Sequence, residues 1–527
     1  MYRGYLCLVL HAHLPFVRHP EHLHFLEERW LYEAITETYI PLIQVFERLF
    51  SDNIPFRLTI SLSPTLISML TDSLLQERYL KHLERLIELS DREAGRTYNS
   101  PFHNVALMYQ KQFRHTRQTY LNYNRNLVQV FKKFFELGNL EIITSTATHS
   151  VLPLIYINKN AVRAQIKTAV DLYARHFGDL PRGIWLPECA YTPGIDELLK
   201  EVGLKYFILD THGLLFASPR PKYGVFAPIL CPTGVAAFGR DVESSSQVWS
   251  SKDGYPGDSN YREFYRDIGF DLEYEYIKPY IHPDGIRIDT GIKYHRITGK
   301  TDYKEPYVPW LAKKQAISHA NDFLLKRLNQ VQCLHNLMDR PPIIVAPYDA
   351  ELFGHWWFAG PIWLESLIRK IHSGQMTLTM TTPCDYLSKY NHNQTAIPAA
   401  SSWGKKGYNE MWLNKKNAWI YRHLHAAADK MVVLAENFCS SHGLTARAIN
   451  QAARELMLSQ SSDWAFIINT DTMTQYAIQR TKTHLNNFNT LYSQVTENKI
   501  DAQWLSQLEV RNNLFPNMDF HHYSSSC

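Results

Sequence analysis

The sequence predicts an α/β protein: a parallel β/α barrel with an inserted loop-rich subdomain, followed by a C-terminal α-helical domain. Three features predict it. Short, continuously apolar runs recur along the chain and end in polar residues. Segments with helical spacing separate those runs. Beyond about residue 403 the strand signals stop and amphipathic helices take over. The length of 527 residues suits one large barrel with insertions, or roughly two to four domains.

The first apolar run, residues 5–10, leads into His11 and His13. Others follow at 57–61, at 141–145 before His149, and at 183–186 before Glu188. Two more lie at 206–209 before Asp210 and His212, and at 343–346 before Asp349. Runs apolar on both faces fit a parallel sheet covered on both sides. Between them, residues 26–50 place Leu31, Ala34, Ile35 and Tyr39 at helical spacing, and the helix over 124–139 closes on Gly138 as a C-cap. Strand, helix and strand in repetition imply βαβ units. In a parallel barrel, function gathers where strands end, which is where these polar residues fall. Residues 219–309, rich in Gly, Pro, Tyr and Asp, read as an insertion over one rim. Helices over 416–438, 445–460 and 474–495 define the C-terminal domain. The division is thus residues 1–400 as a catalytic barrel and 401–527 as a helical domain contributing to the cleft. The tail 521–527 is expected to fray.

Composition narrows the function classes. Hydrophobic residues are 45% and charged residues 20%, ordinary for a globular chain. A formal net charge of +4 gives no electrostatic case for nucleic acid or an anionic membrane. The aromatic share of 13%, with 12 Trp and 31 Tyr, offers flat surfaces for sugars as well as core material. The seven cysteines (Cys7, Cys189, Cys231, Cys333, Cys384, Cys439 and Cys527) are scattered without a CxxC pair, which argues against a disulfide framework or cysteine zinc site. "YLCLVL" is too short for a signal peptide and no run of about 18 apolar residues exists, so a cytoplasmic location is expected. No Gly-rich phosphate loop or GxSxG elbow occurs, and no cofactor is expected.

Two acids stand out. Glu188 follows "WLP" at a strand end, and Asp349 with Glu351 lies in "VAPYDAELFGHWWFAG". Carboxyl groups among apolar neighbours are partly desolvated, which tunes their acidity. The plain alternatives are an ion pair between Glu188 and Arg182, and an Asp349 that caps the helix starting near Pro361. In extended backbone Asp349 and Glu351 face the same side, and Trp356 and Trp357 add stacking surface. Paired carboxyl groups between aromatic walls are the equipment for glycosidic bonds: one protonates the leaving oxygen, the other attacks the anomeric carbon or activates water. His11, His13, His149 and His212 leave three readings open: zinc ligands, partners of sugar hydroxyls, or satisfied core histidines.

Taken together, "HAHLPFV" (11–17), "GNLEIITSTATHSVLPL" (138–154), "GIWLPECAY" (183–191), "APYDAELFGHWWFAGP" (346–361) and "SSWGKKGYNEMW" (401–412) resemble glycoside hydrolase family 57, most closely its α-glucan-branching members. The resemblance implies an incomplete seven-stranded β/α barrel with an inserted small domain and a C-terminal helical domain. It makes Glu188 the nucleophile and Asp349 the general acid/base of a retaining reaction, with carboxyl groups about 5–5.5 Å apart. The activity implied is cleavage of α-1,4-glucan and transfer of the segment to a 6-hydroxyl, creating an α-1,6 branch. His11, His13 and His149 then line the sugar subsite without any metal. Trp403, Trp412, Asp463, Arg262 and Trp30 match further substrate contacts. Alternatives on the same scaffold are an α-amylase-like hydrolase and a 4-α-glucanotransferase; outside it stand a zinc-dependent deacetylase or amidohydrolase using His11, His13 and Asp349, and a non-catalytic glucan-binding protein. Branching members usually carry a tyrosine on a loop over the site. The expected counterpart here, residues 231–245, has none, which predicts stronger competition by water.

Overall fold

The computed structural model describes residues 3–250, 254–373 and 377–524. Its strands are β1 (Gly4–Ala12), β2 (Leu58–Leu62), β3 (Leu140–Ile143), β4 (Gly183–Ile184), β5 (Tyr206–Leu209), β6 (Ile229–Leu230), β7 (Ala236–Gly239), β8 (Ile343–Asp349) and β9 (Leu378–Met380). All nine positions of β1 are buried: Leu6, Leu8 and Leu10 pack towards the surrounding helices, while Tyr5, Cys7 and Val9 face the barrel interior among residues of the other strands. β1 pairs in parallel with β2, β8 and β9, and β2 with β3. A second sheet has the order β4, β5, β7, β6, with only β6 antiparallel. The sheets meet at a parallel bridge between Thr144 and Ile184, and again where the Asp241 N–H donates to the Val345 carbonyl at 2.9 Å. The ladder does not close, so the barrel is incomplete. Its register sets His11 beside both Ser61 and Asp349, which gathers three strand ends at one rim.

The stretch 219–309 is not wholly an insertion. Residues 229–239 supply β6 and β7 of the second sheet, and Ala236, Ala237 and Phe238 are buried. Residues 231–245 are therefore not a loop over the site. They are a core strand running into the helix Val242–Trp249, and the missing tyrosine there says nothing about a lid. The loop-rich part lies further on, ending before the helix Pro309–His335.

C-terminal helices Trp419–Asn437, Gly443–Ser459, Ser462–Thr470, Thr474–Thr496 and Ala502–Arg511 share one apolar cluster with the barrel. The tail departs from expectation at residues 521–524: Phe520–Tyr523 form a short helix and Tyr523 is fully buried. Its last three residues lie outside the described ones. Cys7, Cys189, Cys231, Cys333 and Cys384 are free thiols, whereas Cys439 is disulfide-bonded.

One local departure matters for the site. The helix predicted over 26–50 is broken by a π-helical turn, Ile35–Tyr39. Pro41, at the start of the next helix, has no N–H to give to the Glu37 carbonyl, so the regular ladder cannot continue there. Gly354 uses the gap. With φ at +122°, it packs so closely that an added Cβ would meet the Glu37 carbonyl oxygen at 1.7 Å. Gly354→Ala is expected to cost about 2–4 kcal/mol of stability, measured by thermal denaturation; an unchanged midpoint would contradict this packing.

Candidate active site

A cavity of about 620 Å³ opens at the rim where β1 and β8 end. Glu188 and Asp349 both line it, with Glu351, Asp463, His11, His13 and His149. The sequence run before Glu188 is interrupted by Pro187, so β4 stops at Ile184 and a tight turn follows. Glu188 and Cys189 in that turn hold left-handed backbone, φ 60° and 49°, as does His149 at 56°. Non-glycine residues adopt this only when their surroundings compel it, and such strain concentrates at functional sites. Here the compelling contacts are visible. Tyr191 and Ser401 form an antiparallel bridge, and the Trp403 backbone N–H donates to the Glu188 carbonyl at 2.8 Å. The Trp403 indole Nε1–H then donates to Glu188 Oε2 at 2.6 Å.

Burial raises Glu188 to about 8, against the Trp403 donor, and the charges of Asp349 and Asp463 add to the rise. Burial likewise raises Asp349 to about 7, against the charges of His13 and Arg240, and Glu351 to about 8. These carboxyls cannot all be ionised at neutral pH. The short indole bond favours the anion at Glu188. The Asp349 carboxyl has no hydrogen-bond donor among the described residues; with both carboxyls raised the pair holds at least one proton at neutral pH, and the indole bond, present at Glu188 and absent at Asp349, is what distinguishes the two. Neither plain alternative is realised. No arginine pairs with Glu188 among the described residues, and the helix Gly360–His372 starts without a side-chain cap. Glu351 is fixed instead: Tyr39 O–H donates to its Oε1, and so does the His13 backbone N–H at 3.2 Å.

The histidines form a stack. His13 and His149 lie 3.7 Å apart, centroid to centroid, and His11 stacks on Trp185 at 4.7 Å. His11 Nε2 and His149 Nε2 share a hydrogen bond of 2.9 Å. Burial, then the neighbouring histidines, lowers both well below the usual imidazole value, so they are neutral at neutral pH. Asp463, from the helix Ser462–Thr470, accepts from His13 Nε2 at 3.1 Å. Burial opposes its ionisation, but His13 and His149 outweigh burial and hold Asp463 at about 2. Ligand atoms of His13, His149 and Asp463 lie within 4.8 Å of one another, close enough to share a cation. Yet His13 Nδ1 is bonded to Ser63, and both nitrogens of His149 to Ser462 and His11. A metal would have to break this network, so the donor set fits hydrogen bonding better than ligation.

Trp403 and Trp412 line the cavity, as does Trp356, while its neighbour Trp357 is buried in the core. Two expected contacts do not reach the cavity. Arg262 is buried behind it, 3.5 Å from Glu37 and donating to Tyr109 at 3.0 Å. Trp30 packs edge-on to Tyr476 at 6.0 Å, joining the first helix to the C-terminal domain. His212 bonds the Gly407 carbonyl at 2.9 Å and is also absent from the lining. Sequence reading missed Arg240 and Trp249. Arg240 lies just beyond β7, a strand-end position, but β7 was too short and small-residued to read as a strand. Trp249, at the end of its helix, stacks near Trp403 at 6.4 Å and Trp356 at 5.9 Å.

A carboxyl pair between aromatic walls at the strand ends of a parallel barrel is the site of a carbohydrate-active enzyme. A family model described as glycosyl hydrolase family 57 matches residues 7–400, and one described as 1,4-alpha-glucan branching enzyme, C-terminal, matches residues 423–523. The chain belongs to glycosyl hydrolase family 57. It is 33% identical to the 1,4-alpha-glucan branching enzyme TK1436 of Thermococcus kodakarensis, over 97% of this chain and 77% of that one. The crystal structure of the alpha-amylase AmyC from Thermotoga maritima is 46% identical, with a TM-score of 0.93 and 99% of each chain covered. That of a GH57-type branching enzyme from Pyrococcus horikoshii is 31% identical, with a TM-score of 0.89, covering 100% of this chain and 97% of that one.

Trp403→Phe keeps a ring but removes the N–H that favours the Glu188 anion. Its loss raises the Glu188 pKa, so the acidic limb of kcat/KM is expected to move up by about one pH unit. A limb that stays in place would show that this bond does not govern Glu188.

Proposed function

We propose that the protein cleaves α-1,4-glucan with retention and transfers the segment to a 6-hydroxyl, forming α-1,6 branches in α-glucan metabolism. The observation that carries the reading is the pairing of a bonded, left-handed Glu188 with an unbonded Asp349 in one aromatic-walled cavity. The match of residues 423–523 to a branching-enzyme C-terminal model supports branching in particular.

In the proposed mechanism Glu188 attacks the anomeric carbon from one face. The C–O bond to the departing glucan breaks as Asp349 gives that oxygen its proton, and a covalent glycosyl ester forms on Glu188. Asp349, now ionised, takes the proton from a 6-hydroxyl of another glucan chain. That oxygen displaces Glu188 and restores both carboxyls. The stack of His11, His13 and His149, with Asp463, meets sugar hydroxyls at the reaction centre. Trp403, Trp412 and Trp356 give apolar faces to pyranose rings. Arg262 and Trp30 act from behind, as packing. The substrate is thus the α-glucan itself. A cytoplasmic location goes with this reading.

Hydrolysis is the second reading, and the 46% identity to the alpha-amylase AmyC favours it. It uses the same steps with water as acceptor. Linkage analysis of amylose incubated with pure protein separates the two: new α-1,6 linkages after debranching are expected, and a rise in reducing ends without them would establish hydrolysis instead. Glu188→Gln is expected to lower either activity at least about 10³-fold. Prior treatment with a chelator is expected to leave turnover unchanged; loss of activity that zinc restores would favour a metallohydrolase.

A further inference from the structure

A second cavity, of about 420 Å³, shares no lining residue with the catalytic one. Three distant segments wall it: residues 23–32, the helix Ser73–Arg96, and residues 280–290. Its charges are unevenly spent. Glu28 is bound by Arg78 at 2.6 Å, Glu77 by Arg125 at 3.0 Å, and Asp289 by Lys293 at 3.1 Å. Each acid is thereby neutralised. Arg85 is not: its only partner among the described residues is the backbone carbonyl of Pro279.

Around Arg85 stand further polar groups that the protein leaves unused. Arg29 is not one of them: its guanidinium binds Glu33 at 2.5 Å and the Asp289 carbonyl at 2.6 Å, and its partnerless Nε is buried away from the cavity. His24 and His82 make no hydrogen bond among the described residues, and both line the cavity. Burial, then Arg29 and Arg85, depresses His82 to about 3, so it is a neutral ring with one free N–H. Among the described residues, one guanidinium without an acidic partner and two imidazoles without hydrogen bonds line the same cavity, and the carboxylates that line it are already bound. Such a donor set complements a compact oxyanion. Phe25, Tyr280, Leu86 and Ile281 supply apolar wall for a ring-sized body attached to it.

The geometry points to a binding site for a phosphorylated hexose in this cavity, the phosphate on Arg85 and His82 and the sugar against Phe25 and Tyr280. The choice of a hexose rests on the proposed glucan activity; the oxyanion does not. Titration calorimetry of the full chain with glucose 6-phosphate, inorganic phosphate and glucose tests it. Glucose 6-phosphate is expected to bind more tightly than inorganic phosphate, and glucose more weakly than either at this site. Arg85→Ala is expected to weaken glucose 6-phosphate at least tenfold, Arg85→Lys less, and Trp403→Phe not at all. His82→Gln, with one amide donor in place of the ring, gives an independent weakening should the alanine variant not fold. Absence of binding, equal affinity for glucose and its phosphate, inorganic phosphate as tight as the sugar phosphate, or indifference to Arg85 would overturn the assignment. Binding is read without turnover, so failure here and failure of the glucan reading are separate results.

Discussion

Four carboxyl groups, Glu188, Asp349, Glu351 and Asp463, share one buried cavity, and the structure around them exists to keep their charges apart. Water cannot do this, since burial strips it away. The chain gives three of the four a donor instead. Asp463 is held ionised by the histidine stack. Glu351 accepts from Tyr39 and the His13 backbone, while Glu188 accepts from the Trp403 indole. Asp349 alone is left without a donor, and that absence is what sets it apart from Glu188. The acid and the nucleophile of the proposed reaction are thus distinguished by their neighbours, though both are carboxyls raised by burial.

Those neighbours come from opposite ends of the chain. Pro41 prevents a regular helix at Glu37, the resulting π turn presents Tyr39 to Glu351, and Glu37 binds His355 at 2.6 Å. Gly354 fits against the same turn, so the loop after β8 is fixed from behind. Arg262 joins this backing through Glu37 and Tyr109. On the other side, residues 401–403 are stitched to the turn at Glu188, and the Ser462 N–H donates to the His149 carbonyl at 3.2 Å. The helix Ser462–Thr470 is therefore part of the cavity wall, not an appendage.

Strand-end chemistry was legible in the sequence because buried parallel strands are uniformly apolar, and a polar residue after one is conspicuous. His11, His13, His149, Glu188 and Asp349 all carry that signal and all meet in one cavity. Asp463, Trp403 and Trp412 rested on resemblance alone, since nothing in a helical or loop segment reveals which side chain faces a distant barrel. The β6 and β7 strands were hidden: β6 is only two residues long and three of the four in β7 are alanine or glycine, so neither gives a hydrophobic period, and Arg240 just after β7 was hidden too. Arg262 and Trp30 were misplaced for a related reason. A buried arginine and a half-buried tryptophan look the same in sequence whether they face a ligand or back the residues that do.

Trapping the covalent intermediate distinguishes the nucleophile from its three neighbouring acids. A fluorinated maltosyl fluoride that slows deglycosylation should label the protein once, and peptide mass spectrometry should place the sugar on Glu188. Labelling on Asp349, Glu351 or Asp463, or turnover of the reagent with no labelled Glu188 at any time, would contradict the division of roles between Glu188 and Asp349.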